Sequence, residues 1–283
     1  QIFDENGQAV GNQFVVNTEN FGNQTNADVA GLSDGSFVVV WQSVVSESNS
    51  DINVYAQRFT ASGQALGDQF IVNENLSSTQ GTPVVTALAT GGFVVAFDTY
   101  DSATGDTSGI GIGMRFFDNA GVATTAELLA NTSISGSQSN ADLAASASAV
   151  VATWKSNSGD DVFARIFNPA DGTELVSEFK VNTSEGNVLN QPAVTALDDG
   201  TFVLVWGHYI DEFAKDFWGF RGQRIDANGN FIGDEFIVNT SETSWNSNDG
   251  IDIASLNNGN FAVTWGANAG VYVQEFEATG TTP

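Results

Sequence analysis

Residues 27–59 read ADVAGLSDGSFVVVWQSVVSESNSDINVYAQRF, and recognisable copies of this unit recur five times along the chain. Two markers recur in the same phase: an asparagine after a short apolar run, and an aromatic residue that ends a longer one. The asparagines are Asn17, Asn73, Asn131, Asn182 and Asn239, and the aromatic residues are Trp41, Phe97, Trp154, Trp206 and Trp265. A period of roughly 50 to 58 residues is typical of propellers and solenoids.

Each unit contains four strand-like runs, which we call strands A to D. In the first unit they cover residues 29–32, 37–41, 54–59 and 69–72. The Asp34-Gly35 pair between strands A and B supplies the positive φ that a tight hairpin requires. Strand B is apolar at consecutive positions, which indicates burial on both faces. Four short antiparallel strands per unit predict one propeller blade.

The two ends of the chain predict how the ring closes. The chain begins QIFDENGQAVGNQFVVN, which matches the end of strand C, the C–D turn and strand D, and it ends with VYVQEFEATG, a strand C. We expect residues 1–17 to complete the last blade, because a closed ring leaves no free sheet edge. The sequence therefore predicts a single all-β domain over residues 1–283, a closed five-bladed β-propeller of four-stranded antiparallel blades.

Composition limits the classes of partner. Lys plus Arg is 8 against 34 Asp plus Glu, a formal net charge of −26. Nucleic acids and anionic membranes are excluded as partners by this charge, because both require cationic groups that neutralise phosphate. No apolar run is long enough to insert into a membrane, and the absence of cysteine excludes thiolate sites. We expect a monomeric domain of a longer secreted chain, outside the cell or at its surface.

A family resemblance follows from the repeat motifs F-x-V-N-T, D-G, F-V-V-x-W and V-Y-x-Q-R-F. They resemble the repeat units of large secreted bacterial RTX-type and surface adhesin proteins, and the ring resembles the five-bladed lectins of the tachylectin type. The resemblance implies extracellular location and adhesion to glycans or surfaces. It carries over no binding residue, and the nonapeptide calcium repeats of RTX proteins are absent.

Aromatic and amide side chains are the first candidates for ligand contacts. A tryptophan that ends strand B either stacks on a sugar ring or packs between blades. Two further tryptophans lie off the repeat, in the insertion HYIDEFAKDFWGF at 208–220 and in the link to blade 5. The amides either bind sugar hydroxyls or cap loop backbone. These candidates are Trp218, Trp245, Trp41, Trp154, Trp206 and Trp265, with Gln24, Gln80, Gln138 and Gln191.

Charged residues that recur with the repeat form the second group of candidates. The strand C arginines Arg58, Arg115, Arg165 and Arg224 either bind a carboxylate on an acidic glycan or form ties within the protein. Asp28, Asp142 and Asp252 fall at one point early in strand A, where the innermost strands converge. Three interpretations remain for them: solvated or paired side chains, a Ca²⁺ site, or the carboxylates of a glycosidase.

The sequence favours a non-catalytic, secreted binding or adhesion module that is lectin-like. Loop lengths vary on one face, which we expect to bind a glycan or polysaccharide. The first alternative is a structural or protein-binding spacer with a cell-surface or protein partner. The second is a propeller glycosidase that uses Asp28, Asp142 and Asp252; because these residues follow the repeat, the protein is predicted not to be an enzyme.

Overall fold

The computed structural model describes residues 1–18, 22–46, 49–76, 78–100, 109–157, 160–183, 187–188, 191–212, 215–239, 250–267 and 270–277. For residues 45–46, 49–51, 187, 209–212 and 215–218 only the backbone is described. All regular structure in these ranges is β-strand. A helix of the length and hydropathy needed to cross a membrane does not occur in them.

Five antiparallel sheets follow one another along the chain as the blades of a propeller, which confirms the predicted five-bladed fold. A short hairpin precedes them, β1 (Ile2–Phe3) and β2 (Ala9–Val10). Blade 1 contains β3 (Gln24–Gly31), β4 (Phe37–Ser46), β5 (Asn49–Phe59) and β6 (Phe70–Ile71). Blade 2 contains β7 (Gln80–Ala87), β8 (Phe93–Thr99), β9 (Gly111–Phe117) and β10 (Leu128–Leu129).

The remaining three blades continue the same order. Blade 3 contains β11 (Gln138–Ala145), β12 (Val150–Ser156), β13 (Asp161–Phe167) and β14 (Glu174–Lys180). In blade 4, β15 (Asn187–Val188) and β16 (Ala193–Ala196) both pair with β17 (Phe202–Glu212), followed by β18 (Lys215–Ile225) and β19 (Phe231–Ile237). Blade 5 contains β20 (Ile251–Ser255), β21 (Phe261–Ala267) and β22 (Gly270–Phe276).

The hairpins that join strands A and B have the predicted turn chemistry. Gly35, Gly92, Gly200 and Gly259 all adopt positive φ, between +80° and +88°. At Gly92 the need for glycine is also steric, because an added Cβ would lie 2.1 Å from the carbonyl oxygen of Phe117. These turns hold each strand A against its strand B.

The hydrophobic core consists of separate layers between neighbouring blades. One layer joins blades 1 and 2, and the next three join blades 2 and 3, 3 and 4, and 4 and 5. In blades 2 to 4 the consecutive apolar positions of strand B are buried on both sides, as the sequence predicts, whereas in blades 1 and 5 buried and half-buried positions alternate. The apolar surface buried in these layers is the main favourable contribution to folding.

The recurring asparagine ties the end of one strand to its neighbour. The Asn131 side-chain oxygen accepts a hydrogen bond from the backbone N–H of Ile112 at 2.8 Å, and Asn182 does the same for Val162 at 2.8 Å. Both asparagines are buried. A buried backbone N–H without an acceptor is costly, which gives a structural reason for this marker in blades 1 to 4.

The N-terminal segment lies against blade 1. The Phe14 ring lies 5.3 Å from the Phe59 ring, as Phe70 of blade 1 lies 5.6 Å from Phe117 of blade 2. The segment therefore packs on the next blade as a strand D does. The strand pairings of the described residues do not join it to β22, however, and blade 5 shows three strands there.

The B–C connections of blades 1 and 4 contain paired strands. The acidic stretch at 43–53 belongs to the β4–β5 hairpin, and the insertion at 208–220 extends the β17–β18 hairpin as paired backbone from Phe202↔Ile225 to Glu212↔Lys215. Cross-strand pairing satisfies the backbone groups of these long B–C connections. The described parts of the B–C connections in blades 1 and 4 are therefore hairpins rather than irregular loops.

Candidate functional site

The innermost strands of blades 1 to 3 share one irregularity. The pairing register skips a residue between Thr25 and Asp28 in β3, and β7 and β11 skip at the same point. Inside each bulge one non-glycine residue has positive φ: Asn26 at 52°, Thr82 at 45° and Asn140 at 56°. Such backbone strain costs on the order of 1–3 kcal/mol per residue and clusters at functional sites.

The bulges line a central cavity of about 270 Å³. Its walls come from the same point of strand A in blades 1 to 3 and from the start of the corresponding segment in blade 4. The lining residues are Asn26, Ala27, Asp28, Thr82, Pro83, Val84, Asn140, Ala141 and Gln191. Small and polar side chains therefore surround the space where the inner strands converge.

Two side chains at the end of strand B hold the bulges in place. The Gln42 side-chain oxygen accepts from the Asn26 amide at 3.0 Å and from the Thr82 backbone N–H at 2.8 Å. The Asp98 carboxylate accepts from the Asn140 backbone N–H at 3.0 Å and from the Thr82 hydroxyl. Burial raises the pKa of Asp98 to about 6. Gln42 therefore joins the bulges of blades 1 and 2, and Asp98 joins the bulges of blades 2 and 3.

Asp28 and Asp142 link neighbouring blades in a similar way. The Asp28 carboxylate accepts from the backbone N–H of Val85 in blade 2 at 2.8 Å, and Asp142 accepts from that of Val194 in blade 4 at 2.7 Å. Asp252 accepts from the N–H of Ile253 in its own strand at 2.8 Å. An arginine partner for these three aspartates is not found in the described part of the chain.

The electrostatic environments of the three aspartates differ. Burial, with smaller contributions from the charges of Asp252 and Asp28, raises the pKa of Asp142 to about 7. Burial also raises the pKa of Asp28, with a smaller contribution from Asp252. Asp252 itself is exposed. The site therefore contains a carboxyl group that keeps its proton near neutral pH and a solvated carboxylate, the combination that general acid–base chemistry requires.

The raised pKa of Asp142 predicts a pH dependence of stability. The ordinary pKa of 3.8 applies to the unfolded chain and about 7 to the folded protein, so the folded state binds the proton more tightly. The stabilisation is complete below pH 4 and is lost as the pH rises through 7. We expect Asp142→Asn to remove part of this decline in the free energy of unfolding, on the order of 2 kcal/mol. This amount is below the full value of the pKa shift, because the carboxyl is only half-buried and solvent screens its charge.

Chemical unfolding of the parent and Asp142→Asn at pH 4, 6 and 8 measures this effect. The difference in unfolding free energy between the two proteins should change with pH in favour of the variant as the pH rises. A difference that stays constant from pH 4 to 8 would contradict the shift. The comparison cancels the contribution of the remaining carboxyl groups.

The geometry of the three aspartates gives no support to a metal site. Among the residues that the structure describes, no three His, Cys, Asp or Glu side chains are grouped so that they could hold a metal ion. The Ca²⁺ interpretation of Asp28, Asp142 and Asp252 stays a prediction. Their carboxylates bond to backbone N–H groups.

The strand B tryptophans are part of the core. Trp154 and Trp206 are 0% exposed, Trp41 4% and Trp265 6%. Trp265 lies 5.8 Å from the Tyr272 ring in a stacked arrangement. A side chain buried between blades cannot stack on a sugar, so these four residues are not ligand contacts. Trp245 lies outside the described residues, and the side chain of Trp218 does too.

The recurring arginines form ties within the protein. Arg115 pairs with Glu74 at 2.8 Å and also donates to the carbonyl of Val72 in the preceding blade at 2.9 Å. The other three have carboxylate partners as well, in the pairs Arg58–Asp34, Arg165–Glu174 and Arg224–Asp199. Their guanidinium groups are therefore engaged by the fold and do not form an anionic-glycan site.

The predicted glutamines divide into two groups. Gln138 is buried and donates to the carbonyl of Ser135 at 3.2 Å, so it caps the D–A connection. Gln80 is also buried, and Gln24 bonds the carbonyl of Gly22 at 3.1 Å. Gln191 lies two positions further along its blade than the others and is exposed at the central cavity. It is the one member of the predicted set that lines this cavity.

Sequence reasoning missed Asn26, Thr82, Asn140, Gln42 and Asp98. A signal for two of them exists in the sequence, because Asn-Ala-Asp occurs at 26–28 and again at 140–142. Asparagine tolerates the left-handed conformation better than other non-glycine residues. An asparagine inside a strand pattern is therefore a sign of a bulge.

Comparison with known proteins identifies solved structures of the same fold. No family model and no curated protein sequence matches the chain. An α-L-arabinanase of Penicillium chrysogenum, solved with arabinobiose, has 13% identity and a TM-score of 0.61, with 89% of this chain and 77% of that chain covered. A GH93 α-L-arabinofuranosidase of Fusarium graminearum has 10% identity and a TM-score of 0.57, with 92% and 82% covered.

A third similar structure is an exo-β-1,3-galactanase of Clostridium thermocellum, with 10% identity, a TM-score of 0.50, and 99% of this chain and 63% of that chain covered. All three are named as glycan-cleaving enzymes on this fold. Together with the burial of the four strand B tryptophans, they overturn the prediction of a non-catalytic lectin-like module and the prediction that the protein is not an enzyme.

Proposed function

We propose that the protein is a glycoside hydrolase whose reaction takes place at the central cavity. The observation that carries the proposal is the convergence of three aspartates from different blades, one with a pKa raised to about 7 by burial and one exposed. Glycoside cleavage uses one protonated and one ionised carboxyl group. The propeller fold shared with three glycan-cleaving enzymes supports this choice of reaction.

Asp142 is the proposed general acid. Burial disfavours its ionised form, so it keeps a proton at pH values where an ordinary aspartate has lost it. This proton is transferred to the leaving-group oxygen as the glycosidic bond breaks. Asp142 directly follows Ala141, which lines the cavity, and its carboxylate accepts from the Val194 N–H of blade 4 at 2.7 Å.

Asp252 is the proposed ionised partner. Its carboxylate is exposed, and its negative charge adds to the effect of burial on the pKa of both Asp28 and Asp142. An ionised carboxylate acts as base on the attacking water or as nucleophile. Asp28, which lines the cavity directly, is the third carboxylate of the site. Its charge adds to the field that keeps Asp142 protonated.

A glycan partner follows from this proposal. The arabinanase and the arabinofuranosidase were each solved with arabinobiose, so arabinan and β-1,3-galactan are the first substrates to test. The acidic composition, with a formal charge of −26, is compatible with a secreted enzyme that meets polysaccharides outside the cell. The adhesin-like repeat motifs support the same location.

The test is a search for new reducing ends after incubation with arabinan, arabinogalactan, β-1,3-galactan and xylan between pH 4 and 8. We expect turnover of at least one neutral polysaccharide. The control is the triple variant Asp28→Asn, Asp142→Asn and Asp252→Asn, checked for folding by circular dichroism. Folded parent protein without turnover on the whole panel, or equal turnover by the folded triple variant, would overturn the proposal.

A further inference from the structure

We infer that Asn26, Thr82, Asn140 and Gln191 form a polar collar that binds the hydroxyl groups of an uncharged sugar residue at the central cavity. This inference rests on the proposed function and adds the class of substrate. The four residues come from four consecutive blades and line the same cavity. They are distinct from the three aspartates proposed for the chemical step.

The collar residues occupy corresponding positions in the propeller. Asn26, Thr82 and Asn140 follow the same register step in β3, β7 and β11. In blade 4, Ala193 pairs with Val205 as Val84 pairs with Ala96 in blade 2. Gln191, two residues before Ala193, therefore corresponds to Thr82, two residues before Val84. One polar side chain per blade therefore faces a common space.

The chemistry of the collar matches that of a sugar. Each amide has donor and acceptor groups, and the threonine hydroxyl is both donor and acceptor. Sugar hydroxyls have the same dual character, so an amide can pair with one as donor and acceptor together. The remaining lining residues are small and apolar apart from Asp28. A cavity of this size is at the lower end of ligand pockets, which favours the end of a glycan chain.

The collar is built before any ligand arrives. Gln42 orients the Asn26 amide and binds the Thr82 backbone, and Asp98 binds Thr82 and the Asn140 backbone. The strained φ of the bulges is thus maintained by side chains from strand B. Groups that are already held in place lose less entropy on binding.

The charge at the cavity selects against acidic sugars. Among the described lining residues there is no lysine or arginine, and Asp28 supplies a carboxylate. Asp252 and Asp142 are close enough to Asp28 for their charges to interact. A uronic acid would place a further negative charge next to this group without a cation to pair with. The preferred sugar is therefore neutral.

Direct binding tests the collar independently of turnover. Isothermal titration calorimetry is performed on the full protein with three probes: α-1,5-arabinotriose, β-1,3-galactotriose and trigalacturonate. We expect at least one neutral trisaccharide to bind about tenfold or more tightly than trigalacturonate. No binding of either neutral probe, or trigalacturonate binding as tightly as both, would overturn the inference.

Glycine variants separate side-chain contacts from backbone geometry. Glycine adopts positive φ without strain, so Asn140→Gly keeps the bulge and removes only the amide. We expect Asn140→Gly and Gln191→Ala each to weaken binding of the neutral trisaccharide by about three- to tenfold. Asp160→Gly is the matched control, because Asp160 also has positive φ, at 51°, but does not line the cavity.

The outcomes distinguish the two proposals. If Asn140→Gly and Gln191→Ala bind like the parent while turnover is intact, the collar is disproved and the glycosidase proposal stands. If the parent binds the neutral probe and the variants do not, but turnover is absent on every polysaccharide, the collar stands and the glycosidase proposal fails. If Asp160→Gly weakens binding of the neutral trisaccharide as much as the collar variants do, the effect comes from the backbone and the collar is disproved.

Discussion

Replacing Asp252 by asparagine is expected to lower the rate of glycoside hydrolysis by about 10²–10⁴-fold, the usual contribution of a positioned acid or base. Burial is the main cause of the raised pKa of Asp28 and Asp142, and the charge of the exposed Asp252 carboxylate adds to it. An amide in its place has no charge and cannot act as base or nucleophile. The measurement is the initial rate of reducing-end release from the polysaccharide identified in the screen.

Asp252 is the clearest of the three aspartates to test. Its side chain accepts one local hydrogen bond, from Ile253, whereas Asp28 and Asp142 also accept from neighbouring blades. An asparagine at position 28 or 142 would direct an NH₂ group at a backbone N–H, which is destabilising. We therefore expect Asp252→Asn to keep the melting temperature of the parent.

Asp234→Asn is the matched control for Asp252→Asn. Asp234 is an exposed carboxylate in β19, outside the residues that line the central cavity, and its replacement also removes one negative charge. The control should retain the parent rate. If Asp252→Asn is as active as Asp234→Asn, Asp252 has no part in the reaction. If both lose activity, the effect is one of net charge and not of the site.

Replacing Trp206 by alanine is expected to lower the free energy of unfolding by about 3–5 kcal/mol. Trp206 is completely buried between blades 3 and 4, in contact with the cluster that includes Phe202 and Leu204. Removal of the indole leaves a large cavity in a closely packed layer. Urea unfolding of the parent and the variant measures the difference. A variant as stable as the parent would contradict the core role.

Trp206→Phe is the control that the chain itself provides. Phe97 occupies the corresponding position of blade 2 and is also completely buried. The Trp206 indole N–H is buried without a hydrogen-bond acceptor in the described residues, so phenylalanine removes a polar group that the fold does not satisfy. We expect Trp206→Phe to cost under about 1.5 kcal/mol. A sugar-stacking residue would instead show unchanged stability in both variants and lost binding.

The candidate site was only partly predictable. Asp28, Asp142 and Asp252 were predicted to converge because they recur at one point of strand A, and their charges do interact. Their environments were not predictable, because desolvation depends on which residues of other blades cover each carboxyl. The role of the tryptophans was open for the same reason. The sequence pattern of an aromatic residue at the end of a buried strand is the same whether its side chain faces the core or a ligand.

The polar collar shows a different limit. Periodicity in sequence assumes regular pairing, and a β-bulge adds one residue that shifts every later side chain. Gln191 was assigned to the same set as Gln138 from the order of residues, but the pairing of β16 places it two positions away, at the cavity. Only the pairing partners in the neighbouring strand decide such a register.

The five-bladed architecture is predictable from the sequence alone. The recurring turn dipeptides, the apolar strands and the recurring asparagine and aromatic residues are local features. Each blade forms from residues that are close in the chain. The tertiary structure decided what the inner residues do, because the cavity, the pKa of Asp142 and the bulge contacts of Gln42 and Asp98 arise between blades. Contacts between blades join residues roughly one repeat apart, and no local pattern records their distance or their burial.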